Sequence, residues 1–208
     1  MHNHITDVAG IRVGHAGCET LVSGVTTLLF DQPAVGAVAV LGGAPAGRDT
    51  ECLAANRVVD QIDGIVLSGG SGFGLDAATG VQAWLREQGR GLAIGGARVP
   101  IVPQAICFDL LNGGDKDWGR FPPYRDLGYA AAQSATTTNH DLGSVGGGVG
   151  ATTVNFKGGI GSASARTSAG ATIAALMLVN ALGSATVGDG PYSWAGALEE
   201  CTEFGGLG

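Results

Sequence analysis

The chain has 208 residues and a formal net charge of −7, with only 14% charged and 45% hydrophobic residues. An acidic chain lacks the basic face that binding to a phosphate backbone requires, so nucleic acid is excluded as an expected partner. The low charged fraction predicts that other subunits cover part of the surface; a solvated, glycine-rich surface is the alternative.

Length and cysteine spacing limit the class of protein further. A single domain over residues 1–208 is expected, since nothing in the composition demands a second one. The four cysteines stand far apart, with no Cys-x-x-Cys pair and no histidine at ligand spacing, which predicts reduced thiols and neither a metal nor another cofactor. No apolar run reaches about 18 residues and no signal peptide is recognisable, so we expect no membrane span and a cytoplasmic location.

Hydrophobic periodicity predicts short strands that stand in adjacent groups between helices. The clearest helix is expected over 75–88, where apolar residues recur at helical spacing and two glycines follow. The other expected elements are extended structure over 5–14, a hairpin of strands 24–30 and 34–41, a helix over 50–60, strands over 64–68, 92–94 and 105–111, a helix over 126–134, and strands over 149–156, 161–167 and 171–181. Strands and helices do not alternate strictly, which favours an α+β fold over a doubly wound one.

A glycine-rich loop between the strand at 64–68 and the long helix is the first candidate site. Gly72 opens a Gly-x-Gly-x-x-Ala string, which fits the dinucleotide pattern of a strand–loop–helix unit. No acidic residue follows at about twenty positions to hold a ribose hydroxyl, although Arg98 leaves an NADP-type site open. Free N–H groups at a helix N-terminus also attract a carboxylate or a developing oxyanion, and close helix–sheet packing explains the glycines as well.

Two polar side chains in the last third of the chain are further candidates. Asn180 interrupts an apolar run, and a buried amide without a partner costs about 1–3 kcal/mol. Its side chain is therefore expected to bond to neighbouring backbone or to donate to a substrate oxygen. Lys157, beside two glycines, is either the solvated tip of a hairpin or an inward cation that lowers the pKa of a nearby α-amine.

Four separated strings carry a resemblance to a known family. They lie at 5–15 (ITDVAGIRVGH), 41–50 (LGGAPAGRDT), 67–77 (LSGGSGFGLDA) and 157–161 (KGGIG). In this order they resemble the DmpA aminopeptidase and nylon-oligomer hydrolase family, whose members are self-cleaving N-terminal-nucleophile hydrolases. The resemblance runs over nearly the whole chain.

The resemblance implies an αββα sandwich, made as one precursor that cuts itself before a serine or threonine. The freed residue attacks a peptide or amide with its hydroxyl while its own α-amine handles the proton. In relatives the cut falls beyond the position matching Gly208, so the nucleophile is expected on a smaller C-terminal chain of the same precursor. The similar string at 151–154 aligns with an earlier strand and is rejected as the cleavage site. A homo-oligomer of such two-chain units, for instance a tetramer, is also expected.

The resemblance also assigns site residues. Lys157 and Asn180 match the active-site lysine and asparagine of the nylon-oligomer hydrolase and are expected to be catalytic. Gly72, Phe73 and Phe108 are expected to contact a small peptide or amide substrate.

One departure from the family concerns recognition of the substrate. DmpA-type peptidases carry a Glu-Thr-aromatic-Asp string that helps to read the free amine of the substrate, whereas this chain has Gln104 and Phe108 in that segment. The missing carboxylate favours an amidase that reads its substrate in another way. Acyl transfer, as in ornithine acetyltransferases, a non-catalytic nucleotide-binding module built on the Gly72 loop, and an uncleaved assembly subunit remain open.

Overall fold

The computed structural model describes residues 2–138 and 141–207. In that part of the chain the strands and helices, in order, are β1 (Ile11–Cys18), β2 (Ser23–Val35), β3 (Gly47–Arg48), β4 (Gln61–Ser68), α1 (Ser71–Gly74), α2 (Ala77–Glu87), β5 (Leu92–Ile94), β6 (Ala97–Val99), β7 (Gln104–Ile106), α3 (Tyr124–Gln133), β8 (Ile160–Arg166) and β9 (Thr172–Leu178). Short 3-10 turns lie at Ile5–Asp7, Thr50–Leu53, Gly146–Gly148 and Gly196–Leu198.

The central sheet has the strand order β1-β2-β4-β7-β3. Neighbouring strands are antiparallel except for the parallel pair β4 and β7. The strands β5 and β6 form a separate hairpin, and β8 and β9 form another. The parallel pair matters for the site, because it places the segments that follow β4 and β7 at the same edge of the sheet.

Helices α2 and α3 cover one face of this sheet. The side of α2 that packs inward carries Ala77, Ala78, Val81 and Leu85, all without exposed surface, and Tyr124 of α3 joins them in the same core. These are the apolar positions that the 3.6-residue periodicity marks. The helix predicted over 75–88 is therefore confirmed, and the one predicted over 126–134 is observed two residues earlier at its start.

The hairpin β8–β9 covers the opposite face of the sheet. Ala174 and Leu176 of β9 pack there against Val13 and Leu28, the apolar side chains that β1 and β2 turn away from the helices. Helices, five-stranded sheet and second sheet thus form three successive layers of an α+β fold, as predicted. That this is a single domain stays a prediction.

The predicted hairpin of strands 24–30 and 34–41 is wrong. The first segment lies within one long strand, β2, which instead forms its hairpin with β1, whereas only the first two residues of the second segment, Ala34 and Val35, belong to a strand, the same β2. The residues between them form an irregularity in the pairing with β4, since Leu29 pairs with Gly64 and Ala34 with Ile62. Pro33 has no N–H to donate to a ladder, and such a residue fits a bulge as well as a turn.

Three further predicted elements are shorter than expected or missing. The helix predicted over 50–60 is reduced to the 3-10 turn at Thr50–Leu53. No strand occupies 149–156, which follows the turn at Gly146–Gly148, and the strand predicted over 105–111 is limited to Gln104–Ile106. The strands predicted over 161–167 and 171–181 are confirmed as β8 and β9, although β9 ends at Leu178.

Among the helices of the described ranges, none is long and apolar enough to cross a membrane. Cys18, Cys52, Cys107 and Cys201 are free in the structure.

Cys107 is expected to alkylate at least about 100-fold more slowly than the exposed Cys201 at pH 8 in the native protein. Burial, and after it the charge of Asp109, raises the pKa of Cys107 to about 11, so its reactive thiolate is scarce. Timed labelling with iodoacetamide followed by peptide mass mapping measures both rates. The two cysteines should label alike in urea, whereas similar rates in the native protein would contradict the buried position.

Candidate active site

Lys157 and Asn180 line the same cavity, which has a volume of about 1080 Å³. Its walls are the segment around the start of β8 and the loop that follows β9, which the antiparallel pairing of these strands places side by side. The two residues that the family resemblance marks as catalytic are thus brought together by the β8–β9 hairpin.

Asn180 lies two residues beyond the end of β9 and is exposed, which corrects the expectation of a buried amide within a strand. Its Oδ1 accepts a hydrogen bond from the backbone N–H of Phe108 at 2.9 Å. This contact fixes the orientation of the amide. The Nδ2 group is left as a donor without a hydrogen bond to the described part of the chain.

Lys157 is exposed and forms an isolated antiparallel bridge with Thr152 across a tight turn. It lines the large cavity and also a second one of about 520 Å³, which His15, Cys18 and Glu19 border. Its ammonium makes no hydrogen bond or ion pair with the described residues. A cation at the junction of two cavities is available to a ligand or to a further chain segment.

The large cavity has an apolar wall. Phe156, Val179, Leu182 and Phe204 line it, and Lys157 is the one charged side chain among the described residues that do so. Such a lining can contact an uncharged, apolar group.

The glycine-rich loop runs from the end of β4 into α1, and its backbone donors are largely occupied. The N–H of Gly70 donates to Asp109 Oδ1 at 2.7 Å, that of Ser71 to Cys107 O at 3.1 Å, and that of Phe73 to Gly70 O at 3.1 Å. An anion-binding loop needs free N–H groups, so the geometry does not favour the dinucleotide interpretation.

The structure does not place Gly72, Phe73 or Phe108 among the residues that line the large cavity. Gly72 faces open space, and Phe73 packs edge-on against Trp118 with ring centroids 5.3 Å apart. Phe108 is linked to the cavity through its backbone contact with Asn180. Contact of these three residues with substrate stays a prediction.

Gln104 is a structural residue rather than part of the site. Its side chain is buried, with Oε1 accepting from the N–H of Ala78 at 3.0 Å and Nε2 donating to Ser68 Oγ at 2.8 Å and Gly74 O at 2.6 Å. All of its polar atoms are thus turned toward the glycine loop and α2. No free amine can be read by this side chain.

Sequence reasoning missed Asp109, which has no exposed surface and accepts from Ser23 Oγ at 2.6 Å. Ser23 Oγ also lies 3.0 Å from the Tyr124 hydroxyl. Burial raises the pKa of Tyr124 to about 12, with a further contribution from the charge of Asp109. The sequence pattern that could have identified Asp109 is an acidic residue within an apolar run, which resembles the polar residue within an apolar run at Asn180.

Comparison with known proteins gives a consistent result. A family model described as Peptidase family S58 matches residues 3–201. An uncharacterized aminopeptidase of Mycobacterium bovis is 44% identical over 193 residues, which cover 88% of this chain and 54% of the relative. One from Mycobacterium leprae is 40% identical over 199 residues, covering 87% and 53%. The chain therefore spans about half the length of the curated relatives that it matches.

Solved structures of aminopeptidases are also similar to this chain. A beta-aminopeptidase from Burkholderia sp. superposes with a TM-score of 0.68 at 27% identity, over 88% of this chain and 53% of that one. An L-aminopeptidase D-Ala-esterase/amidase from Ochrobactrum anthropi, described as a variant of the Ntn hydrolase fold, gives 0.67 at 22%, over 87% and 54%. The predicted fold is thereby confirmed, and the described part of this chain supplies one helical layer and both sheets of the αββα sandwich.

Proposed function

The chain belongs to peptidase family S58, and on that premise we propose that it is the N-terminal part of an enzyme that hydrolyses peptide or amide bonds. The attacking group is the hydroxyl of a serine or threonine at the N-terminus of a second chain, cut from the same precursor. The observation that carries this proposal is the cavity that Lys157 and Asn180 share.

The proposed mechanism assigns a role to each of these two side chains. When the hydroxyl attacks, its proton passes to the α-amine of the same residue, and the carbonyl oxygen of the substrate becomes an oxyanion. The Nδ2 group of Asn180 donates to that oxyanion. The Lys157 ammonium disfavours the protonated form of the nearby α-amine, so that the amine is a free base near neutral pH. The amine then returns the proton to the leaving nitrogen, and water hydrolyses the acyl-enzyme.

The proposed partner chain has a surface to cover. On the outer side of the β8–β9 hairpin, Ile173, Met177 and Val179 are each more than half exposed, and the alanines and glycine of β8 lie beside them. A patch of this kind marks a contact with other protein. The relatives are about twice as long as this chain, which supports a C-terminal segment of the same precursor as its occupant.

Assembly and location are also proposed. The hairpin β5–β6 exposes Leu92, Ile94 and Val99, which supports a homo-oligomer of two-chain units, for instance a tetramer. Free thiols at all four cysteines support a cytoplasmic location.

Intact-mass analysis and N-terminal sequencing of the full-length protein, together with an assay on a chromogenic amide, test the proposal. We expect two chains, the second beginning with serine or threonine, and amide hydrolysis by the cleaved form alone. An uncut chain that hydrolyses the amide would overturn the mechanism. An assay of acyl transfer from N-acetylornithine to glutamate distinguishes the acyltransferase alternative from the amide hydrolase.

Replacing Lys157 with methionine is expected to move the acid limb of the pH profile of kcat/KM to higher pH by about one unit. Removing the ammonium lets the α-amine of the nucleophile hold its proton more tightly, so the base form appears at higher pH. Rates measured between pH 5 and 10 give the limb directly. Lys157→Arg keeps the charge and should keep the wild-type limb; a limb that moves equally in both variants would refute the electrostatic role.

A further inference from the structure

Asp109 is a buried carboxylate that the proposed chemistry does not use. It has no exposed surface, and it makes no ion pair with the described residues. Burial of a carboxylate is costly unless hydrogen bonds replace the lost water. We therefore expect Asp109 to hold neighbouring elements of the fold in position.

Both oxygens of the Asp109 carboxylate are hydrogen-bonded to separate elements. Oδ1 accepts from the N–H of Gly70 in the glycine loop at 2.7 Å, and Oδ2 accepts from Ser23 Oγ at the start of β2 at 2.6 Å. Ser23 Oγ in turn lies 3.0 Å from the hydroxyl of Tyr124 on α3, so Ser23 links the carboxylate to that helix. The carboxylate therefore ties the loop after β4, the start of β2 and the helical layer together.

Two glycines provide the space for this carboxylate. A Cβ at Gly69 would collide with Oδ2 of Asp109, and a Cβ at Gly150 would lie 2.5 Å from the same atom. The N–H group of Asn112 also donates to the carbonyl oxygen of Asp109 at 3.2 Å. The backbone at Gly69 and Gly150 thus leaves room for the side chain of Asp109, and the bond from Asn112 holds its main chain.

The residue before Asp109 carries the contact with Asn180. Phe108 donates its N–H to Asn180 Oδ1 at 2.9 Å. On its other side, Cys107 is buried and is held by its N–H to Ser68 O at 2.7 Å and by its carbonyl to Ser71 N–H at 3.1 Å. The side chain of Phe108 is itself exposed, so its backbone position depends on the two buried neighbours.

We propose that Asp109 is a positioning residue for the hydrolytic reaction. It fixes the peptide unit of Phe108, which keeps Oδ1 of Asn180 engaged and leaves Nδ2 as the group that faces the carbonyl oxygen of the substrate. The inference rests on the proposed function, because it assigns Asn180 to the oxyanion.

The test compares two buried carboxylates in the full-length, self-cleaved protein. Asp63 is the matched control, because it is nearly fully buried and its Oδ2 accepts the N–H of Ile101 at 2.9 Å, without a link to Asn180. Asp109→Asn is expected to lower kcat for a chromogenic amide about 10–100-fold and to change KM less than about threefold, since small misplacement of a catalytic group is costly. Asp63→Asn should keep kcat within about twofold. Equal losses in the two variants, or a loss in KM alone, would overturn the proposal.

A double-mutant cycle with Asn180→Ala separates positioning from general damage. If Asp109 acts through Asn180, then Asp109→Asn should lower kcat less than about twofold further in the Asn180→Ala background. Losses that multiply in the double variant would show that Asp109 acts by another route, and the proposal would fail.

Hydrogen exchange provides a measurement that does not depend on catalysis or self-cleavage. The Phe108 N–H is expected to exchange at least about tenfold faster in Asp109→Asn than in the wild type, and to be unchanged in Asp63→Asn. An unchanged Phe108 rate in Asp109→Asn would overturn the positioning role. Wild-type kcat in Asn180→Ala would instead refute the proposed role of Asn180, so the two failures can be told apart.

Discussion

Replacing Asn180 with alanine is expected to lower kcat for amide hydrolysis about 10²–10³-fold, equivalent to about 2.7–4 kcal/mol of transition-state stabilisation, with little change in KM. The amide is already fixed by the N–H of Phe108 on Oδ1, so its Nδ2 group needs no reorganisation to meet a developing oxyanion. An interaction that strengthens only in the transition state appears in kcat rather than in KM.

Two further variants sharpen the result, with rates measured per cleaved nucleophile on a chromogenic amide. Asn180→Asp keeps an oxygen for the N–H of Phe108 but replaces the donor with a negative charge, so it should be at least as impaired as the alanine variant. Asn3→Ala is the control, because Asn3 is also an exposed amide whose Oδ1 accepts a backbone N–H, that of Ser164 at 2.8 Å. Its kcat should stay within about twofold, and an active Asn180→Asp would contradict the donor role.

The elements that could be predicted are those whose pattern is local. Helix α2 was predictable because Ala77, Val81 and Leu85 repeat at helical spacing, and burial against the sheet follows from the same stripe. The strands β8 and β9 were predictable for a similar reason, since a run of alternating small residues and an apolar run flank a short glycine-containing turn.

Elements that depend on distant pairing could not be predicted. Asp31, Gln32 and Pro33 have turn chemistry, yet they form an irregularity within β2, because pairing of Leu29 and Ala34 with β4 decides the path of the chain. The helix expected over 50–60 lacks a surface on which to pack. Its apolar Val58 is fully exposed, and helical propensity alone seldom holds a short helix in water.

The site was predictable in part. Asn180 and Lys157 could be singled out as polar residues in unusual settings and through the family resemblance, and the structure places both at one cavity. The hydrogen-bond partner of Asn180 could not be predicted, because Phe108, whose N–H it accepts, lies 72 positions away along the chain. Close packing, one of the alternatives for the glycines after β4, holds at Gly70, where a Cβ would collide with the ring of Tyr124, but not at Gly72, which faces open space.

The second large effect is expected for a substitution at Gly80 in α2. Whether this substitution stabilises or destabilises the protein depends on whether packing outweighs helix propensity. Helices α2 and α3 touch through their backbones: a Cβ at Gly80 would collide with the carbonyl oxygen of Arg125 and lie 2.6 Å from the N–H of Tyr129. On α3, a Cβ at Gly128 would likewise collide with the carbonyl oxygen of Ala77. Small residues at both positions therefore set the distance between the helices.

Replacing Gly80 with alanine is expected to destabilise the protein by about 2 kcal/mol and to lower Tm by about 4–8 °C. Helix propensity alone predicts the opposite sign, a gain of up to about 1 kcal/mol for alanine over glycine. Backbone atoms cannot rotate away from the new methyl group as a flexible side chain could, so one helix must move and the core beneath α2 must loosen. Denaturant unfolding of both proteins measures the difference in the free energy of unfolding.

Gly72→Ala is the matched control for this experiment. Gly72 lies in α1, and no heavy atom would come within 4 Å of its Cβ, so the same substitution should change the free energy of unfolding by less than about 0.5 kcal/mol. If Gly80→Ala were as stable as Gly72→Ala, the close approach of α2 and α3 would not be needed for stability. The helices would then be free to separate at Gly80, and the tight seam between Gly80 and Gly128 would need another explanation.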